Sequence, residues 1–338
     1  MINFQYARAT DIADAVRLSG ADSGAKFIAG GTNLIDLMKY DVERPTRLID
    51  ISRLPLGSIE ETAEGGLRIG ALVPNSDLAH HPLIEQRYPL LASAILAGAS
   101  AQLRNMASTG GNLLQRTRCY YFYDVATPCN KREPGSGCSA IAGLNRMHAI
   151  LGASEACIAT HPSDMCVALA ALDARVEVVG PARTRMIAFQ DFHRLPEDMP
   201  QRDTNLQPGE IVAAVELPAC GFPANYTYLK IRDRLSYAFA LVSVAVALTL
   251  DGNTITEARL ALGGVAHKPW RDPAAEAALR GQPAEKAVFA GAADLLLRDA
   301  KGFEHNTFKI DLARRAIIRA LRQAASGTPQ SQSHKKIR

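Results

Sequence analysis

The hydrophobic pattern of the chain changes character along its length. AKFIAG (Ala25 to Gly30) is a short apolar strand, GGTN a turn, and LIDLMK the start of a helix. RLIDIS (Arg47 to Ser52) and GLRIGA (Gly66 to Ala71) predict two further strands, so this part alternates β and α. Helical spacing returns across SDLAHHPLIEQRYPLLASAILAGA, punctuated by Pro89. From roughly Arg116 to Ala159 no period is visible. SDMCVALAALDA (Ser163 to Ala174) then predicts a helix with Ser163 as its N-cap. ARVEVVG and TRMIAF predict a hairpin, and EIVAAVELP (Glu210 to Pro218) another strand.

After ACGFPANY the pattern becomes that of an antiparallel sheet. FALVSVAVALTL and ITEARLALGG flank Asp251-Gly252-Asn253, a hairpin signal. Asp272 and Pro273 suit the N-cap and first position of a helix through AAEAALR, with Gly281 as its C′ residue. Two longer helices are expected near Ala284 to Asp299 and Asn306 to Ser326. The change of pattern puts a domain boundary near Cys220 to Thr227.

Composition narrows the function classes. The chain has 338 residues, 47% hydrophobic and 21% charged, with net charge +4. That balance suits a globular core and lacks the dense Lys/Arg stripes that nucleic acid demands. The longest apolar run, Tyr237 to Leu250, is interrupted by Ser243 and Thr249, and falls short of the ~20 residues of a membrane span. The N-terminal residues show no secretory pattern.

Two glycine loops carry the first chemical signal. AGGTN, between a strand and a helix, presents backbone N–H groups that suit a phosphate. STGGN (Ser108 to Asn112) is a second such loop. Gripping from both sides, with Thr32, Asn33, Ser108 and Asn112 adding side-chain hydrogen bonds, they suggest a dinucleotide site. Neither loop is the G-x-G-x-x-G of a Rossmann domain or a P-loop.

The aperiodic stretch carries the second signal. CYYFYDVATPCNKREPGSGC holds Cys119, Cys129 and Cys138, and Cys157 follows. From spacing alone, disulfides, zinc and an iron–sulfur cluster all remain open, although no C-x₂₋₄-C pair favours zinc. Cys166 sits in an apolar helix as a buried thiol, and Cys220 in the interdomain break. Arg116, Arg118, Lys131 and Arg132 either offset cluster charge or solvate an exposed loop. Tyr120, Tyr121, Phe122 and Tyr123 anchor the loop on the domain or on a partner. His148 is not needed as a ligand, and His161 in THPSD holds a turn.

FIAGGTNLIDLMK, STGGNLLQRTRC, ATHPSDMCVALAALDA, YLKIRDRLSYAFALVSVAVAL and ALGGVAHKPWR occur in this order. Together they resemble the FAD-binding subunit of molybdenum hydroxylases, the xanthine dehydrogenase and aldehyde oxidoreductase family, over about Phe4 to Leu321. Within the family they are nearest to the medium subunits of bacterial three-subunit aldehyde oxidoreductases.

The resemblance implies an α+β fold. A two-part FAD domain of the vanillyl-alcohol-oxidase type would fill 1–222, with subdomains of about 1–54 and 55–222 and an inserted loop at about 116–159. A smaller α+β domain with an antiparallel sheet and helices would fill 223–326, and 327–338 would be a disordered tail. It implies FAD contacts from Lys26, Phe27, Ile28, Ala29, Gly30, Gly31, Thr32, Asn33 and Leu34, and from Ala107, Ser108, Thr109, Gly111, Asn112 and Leu114. Asp164 would bond FAD hydroxyls, Ile211 would lie near the adenine, and Lys230 near the flavin. Without the resemblance, Lys230 reads as a surface strand lysine and Asp164 as a helix-start residue.

The resemblance also implies Cys119, Cys129, Cys138 and Cys157 as ligands of a [4Fe–4S] cluster, either structural or a second electron exit. It implies partners: a small subunit with [2Fe–2S] clusters and a large subunit with molybdopterin that oxidises an aldehyde with water to a carboxylate. Electrons would leave through FAD to ferredoxin, quinone or oxygen. The periplasm is the expected compartment, reached with a partner bearing a twin-arginine signal, and the cytoplasm the alternative. A flavin subunit of a related molybdenum hydroxylase or hydroxybenzoyl-CoA-reductase-like enzyme is the nearest rival. A flavoenzyme acting alone lacks an acid/base constellation here, and a non-redox nucleotide- and zinc-binding module is the rival from another class.

Overall fold

Three sheets organise residues 1–327, the part of the chain described in this computed structural model. The expected tail lies outside the described residues apart from Gly327. The first sheet is parallel, in the order Gln5–Arg8, Arg47–Asp50, Ala25–Ile28. Helix Ile12–Gly20 lays Ala15 and Val16 against Ile49, Ile51, Leu54 and Leu56, and Asp11 caps it by accepting from Asp14 N. Neither Gln5–Arg8 nor this helix was legible. QYAR is mostly exposed, so backbone pairing rather than a buried face makes it a strand. The edge strand Ala25–Ile28 delivers its carboxyl end into AGGTN.

The second sheet has five strands in the order Ile59–Glu61, Leu67–Gly70, Ile211–Leu217, Arg175–Val179, Thr184–Ala188. All its pairs are antiparallel, and the expected hairpin is its outer pair. The helical stretch before it is three helices rather than one punctuated once: Asn75–Ala79, Pro82–Arg87 and Pro89–Ala97. Each proline opens a helix, because its ring clashes in a helix interior but fits the first turn. Helix Asp164–Ala171 is buried on every side, and Ser163 caps it by accepting from Cys166 N.

The third sheet is antiparallel, in the order Trp270–Arg271, Thr254–Gly263, Val242–Asp251, Tyr226–Ile231. Its central strand explains how the C-terminal part docks. Val242, Val244, Val246 and Leu248 face helices Lys286–Leu296 and Phe308–Ala325, while Ala245 and Ala247 face the core of the preceding domain. Large side chains fill one face of the pleat and small ones let the other approach helix Asp164–Ala171. Gly263 completes this close face: a Cβ there would lie 2.5 Å from Val167 Cγ2. Phe308–Ala325 buries Ala313, Ala316, Ile317, Ala320, Leu321 and Ala324, a helical stripe, and turns Arg314, Arg315 and Arg319 outward. Helix Pro273–Ala277 is capped by Asp272 as expected, but ends at Ala278. Gly281, with φ 73°, serves the following turn instead of the helix cap.

Candidate functional site

The two glycine loops meet. Gly30 lies so close to the second loop that a Cβ would fall 1.7 Å from Met106 O, so only glycine permits the approach. Gly31 has φ 70°. The second loop is pinned to the five-stranded sheet by Thr109 N and Gly110 N, which donate to Val73 O and Ala71 O. Ser108 Oγ accepts from Gly111 N at 3.3 Å, and Asn33 Oδ1 accepts from Arg116 N at 2.9 Å.

Two cavities open from this meeting point. One, of about 460 Å³, is lined by the whole run Lys26 to Leu34 together with Ser108, Gly111, Leu114 and Ile211. The other, of about 610 Å³, is lined by Ala107, Asn112, Asp164 and Lys230. Thr32, Asn33, Gly111 and Gln115 border both. The loops are therefore the waist of one long crevice. Asn33 Nδ2 is buried there beside the Tyr123 hydroxyl, a donor at the waist of the crevice. Thr109 borders neither cavity: it is buried, and its hydroxyl donates to Val73 O at 2.9 Å.

Lys230 is not a surface lysine. It is 6% exposed, and its Nζ donates to Asp164 Oδ2 at 2.8 Å and Ala97 O at 3.1 Å. Tyr228 OH donates to Asp164 Oδ1 at 2.7 Å, and burial followed by the Asp164 charge holds that phenol well above its ordinary pKa. Strand Tyr226–Ile231 brings both side chains to the head of helix Asp164–Ala171, where the helix dipole also favours the carboxylate. Both oxygens of Asp164 are thus already engaged inside the protein.

Cys119, Cys129, Cys138 and Cys157 line one small enclosed pocket, with Phe122 and Lys131 among its walls. No disulfide joins them. Backbone N–H groups aim at the sulfurs: Tyr121 and Phe122 at Cys119, Ala140, Ile141 and Ile158 at Cys138, and Ala159 at Cys157. Burial pushes the Cys119 thiol up to about 12. Cys157 donates its S–H to Cys138, which brings Cys138 down to about 6 and drives Cys157 upward. Two imidazoles reach the same sulfurs. His148 Nε2 lies 3.1 Å from Cys119 Sγ, and His267 Nε2 lies 3.3 Å from Cys157 Sγ. Burial holds His148 down at about 4 and His267 well below its ordinary value.

The basic residues of the loop do not solvate it. Lys131 is 4% exposed and pairs with Asp203 at 2.5 Å, and Arg116 reaches the same carboxylate at 2.5 Å and also pairs with Glu43. Arg132 donates to the carbonyls of Tyr121, Phe122 and Thr127, tying the loop to itself. Phe122 is buried with Leu37 and Cys129, Tyr123 packs edge-on against Tyr40, and Tyr120 is exposed. Among the described residues, the one set of three or more His, Cys, Asp or Glu with ligand atoms all within 4.8 Å of one another is His161, Cys166 and His193. A tetrahedral zinc site with Zn–S near 2.3 Å needs sulfurs only ~4 Å apart; the four loop cysteines form no such tight set. Burial raises Cys166 to about 12, so it is an inert thiol. Cys220 is exposed.

Sequence reasoning missed several cavity residues. Asp36, Tyr40, Arg104, Tyr123 and Phe239 line the larger cavity, and Gln201 and Asp203 the smaller. Asp36, on helix Leu34–Lys39, and Tyr40, its C-cap, lie four residues apart, a spacing that could have flagged them. Gln201 and Asp203 sit in an aperiodic loop that offers no local signal.

Comparison with known proteins matches these features. Residues 2–220 match the family described as FAD binding domain in molybdopterin dehydrogenase, and residues 226–324 the CO dehydrogenase flavoprotein C-terminal domain. The chain is 53% identical over 322 residues to the aldehyde oxidoreductase FAD-binding subunit PaoB of Escherichia coli (strain K12), covering 95% of this chain and 98% of that one. It is 29% identical over 269 residues to the glyceraldehyde dehydrogenase medium chain of Sulfolobus acidocaldarius, covering 79% and 78%. Among solved structures, carbon monoxide dehydrogenase from Hydrogenophaga pseudoflava superposes with a TM-score of 0.76 at 27% identity, covering 97% of this chain and 100% of that one. The two-part FAD-binding domain and the C-terminal domain of mixed helix and sheet follow that architecture. The chain belongs to the molybdopterin dehydrogenase family as an FAD-binding oxidoreductase subunit.

Proposed function

We infer that this chain is the FAD-binding electron-transfer subunit of a molybdenum-dependent aldehyde oxidoreductase, and that Cys119, Cys129, Cys138 and Cys157 hold a [4Fe–4S] cluster. The observation that carries the FAD part is the long crevice narrowed at two glycine loops. Gly30, Gly31, Ser108 and Gly111 would hold the pyrophosphate at the waist. The Ile211 side would take the adenine end, and the Asp164–Lys230 side the flavin end. The cluster part is supported by four thiols lining one pocket, too dispersed for a single zinc ion and already surrounded by N–H donors. When bound, FAD and an iron–sulfur cluster supply electron exchange in one- and two-electron units, while the protein supplies binding and electrostatics. Aldehyde oxidation itself is assigned to a molybdopterin-bearing large subunit. A small [2Fe–2S] subunit would connect the two, and ferredoxin, quinone or oxygen would accept the electrons. Export to the periplasm would depend on a twin-arginine signal on a partner.

The Arg118–Tyr120 segment argues for cluster and flavin side by side. Cys119 lines the cysteine pocket, while its neighbours Arg118 and Tyr120 line the larger cavity. Purification of the assembled complex from its host, with flavin, iron, molybdenum and aldehyde-oxidation assays, tests the reading. Four irons beyond those of the small subunit are expected, and a Cys129→Ser variant should lose them while keeping FAD. A protein carrying zinc and no flavin would sink the proposal, and a complex active on an aromatic heterocycle but on no aldehyde would replace the substrate class.

A further inference from the structure

Two histidines outside the cysteine set are built against it from different elements. His148 lies within the inserted loop, and His267 follows the long strand Thr254–Gly263 of the C-terminal sheet. They are 2% and 7% exposed, and each touches a different sulfur, at 3.1 and 3.3 Å. In the His267 ring Nδ1 is buried without any hydrogen-bond partner, while the His148 ring also faces the backbone carbonyl of Asn145. A neutral imidazole has a single N–H. On Nδ1 of His267 it would be a buried donor with nothing to bond, whereas on Nε2 it points at sulfur, so for His267 the Nε2–H tautomer is the one the surroundings allow; for His148 it is the Nε2–Sγ contact that calls for the same tautomer. A cysteine that ligates iron has no proton left to give. The imidazole must then be the donor and the sulfur the acceptor.

The backbone beside each ring is also held in place. The backbone carbonyl of His148 accepts from Asn306 Nδ2 at 3.2 Å and from Lys309 Nζ at 2.7 Å, both from the C-terminal domain. Ala266, beside His267, accepts from His161 N at 3.0 Å. The backbone that carries each imidazole is thus anchored to a second element.

Resting on the cluster reading above, we propose that His148 and His267 are positioning residues that donate Nε2–H hydrogen bonds to the cluster sulfurs of Cys119 and Cys157 and so raise its reduction potential. Hydrogen bonds to sulfur stabilise the more negative, reduced cluster, and they are one of the protein's principal levers on potential. His267 gives the C-terminal domain a direct hold on that potential, which a loop-borne centre would otherwise lack.

The test uses the assembled complex. Iron content and the EPR signal of the reduced wild type decide first whether the cluster exists, and their absence sinks the cluster reading itself. With the cluster present, wild type labelled with ¹⁵N-histidine should show weak hyperfine couplings from two imidazole nitrogens and from exchangeable protons. EPR-monitored redox titration should then give a more negative midpoint in His148→Phe and in His267→Phe, a larger shift in the double variant, and recovery toward wild type in His148→Gln, which keeps an N–H. An intact cluster with an unchanged midpoint in both Phe variants overturns the proposal. If a Phe variant loses its cluster, the labelled wild type decides alone, and absence of the histidine couplings overturns it.

Discussion

Lys230 Nζ and Asp164 Oδ2 lie 2.8 Å apart, both nearly sealed from water at the wall of the larger cavity. The pair bridges the C-terminal sheet and the helix Asp164–Ala171, so it couples domain docking to the cavity. Removing one partner strands a buried charge, which costs about 3–5 kcal/mol, more than the intact pair contributes. Lys230→Met should therefore lower the melting temperature by several degrees and weaken FAD retention. The double variant Lys230→Met/Asp164→Asn should recover part of the melting temperature but not of the FAD. Differential scanning calorimetry with flavin release by fluorescence separates the two, and a neutral single variant would contradict this account.

Gly30 and Gly111 sit on facing loops but should respond differently to one added methyl. At Gly30 the new Cβ meets the backbone oxygen of Met106 at 1.7 Å, and backbone cannot step aside. At Gly111 it meets Ser108 Oγ at 2.9 Å, a hydroxyl that can rotate at the cost of its helix cap, worth about 1 kcal/mol. Gly30→Ala should weaken FAD binding at least tenfold, measured by titrating the deflavinated complex. Gly111→Ala should stay within a few-fold of wild type. Equal losses at both positions would show that the waist does not depend on the closeness of the two loops.

How far the sequence foretold the site follows from where each residue draws its signal. AGGTN and STGGN were legible because glycine beside Thr, Ser and Asn announces backbone function without any partner in view. Thr109 turns its hydroxyl to Val73 O, and within a five-residue loop nothing local says which hydroxyl faces the crevice and which faces Val73. Lys230 reads as exposed because a strand lysine has an unfavourable burial cost that only a distant Asp164 cancels. The same holds for Lys131, whose compensating Asp203 lies 72 residues away. The alternation of Val and Ala in VSVAVAL told that the strand is buried, yet its domain-docking role needed the second surface to be seen.

Asp203 joins Arg116 and Lys131 at 2.5 Å each. Burial acts to raise its pKa, but the two cations outweigh burial and hold its carboxyl well below the usual carboxylate range. The folded protein therefore binds fewer protons than the unfolded chain as pH falls through about 4, and stability drops there. Asp203→Asn removes this dependence. The stability difference between wild type and Asp203→Asn should be full above about pH 5 and shrink as pH falls below 4, where both forms are neutral in the unfolded chain. Urea unfolding across that range checks the slope, and a constant difference would mean that the carboxylate charge is not what the two cations hold.

Lys309 poses the opposite linkage. It is 0% exposed, and its Nζ donates to His148 O at 2.7 Å and Gly264 O at 2.6 Å. Burial, with the Arg146 charge adding to it, brings its pKa down to about 7. Below that pH both folded and unfolded chains carry the proton, and the full cost of a buried ammonium is present. Between about 7 and the ordinary lysine value near 10.4 only the unfolded chain keeps it, so wild-type stability rises with pH in this window. Lys309→Met has no proton to lose and should lack that rise, so wild type should gain on the variant between pH 7 and 10 in paired melting curves. The variant also frees the carbonyl of His148 from the C-terminal helix. Its loss should loosen the loop segment that carries His148, read as faster amide exchange at residues 147–149, and an unchanged exchange rate there would show that Lys309 anchors only its own helix.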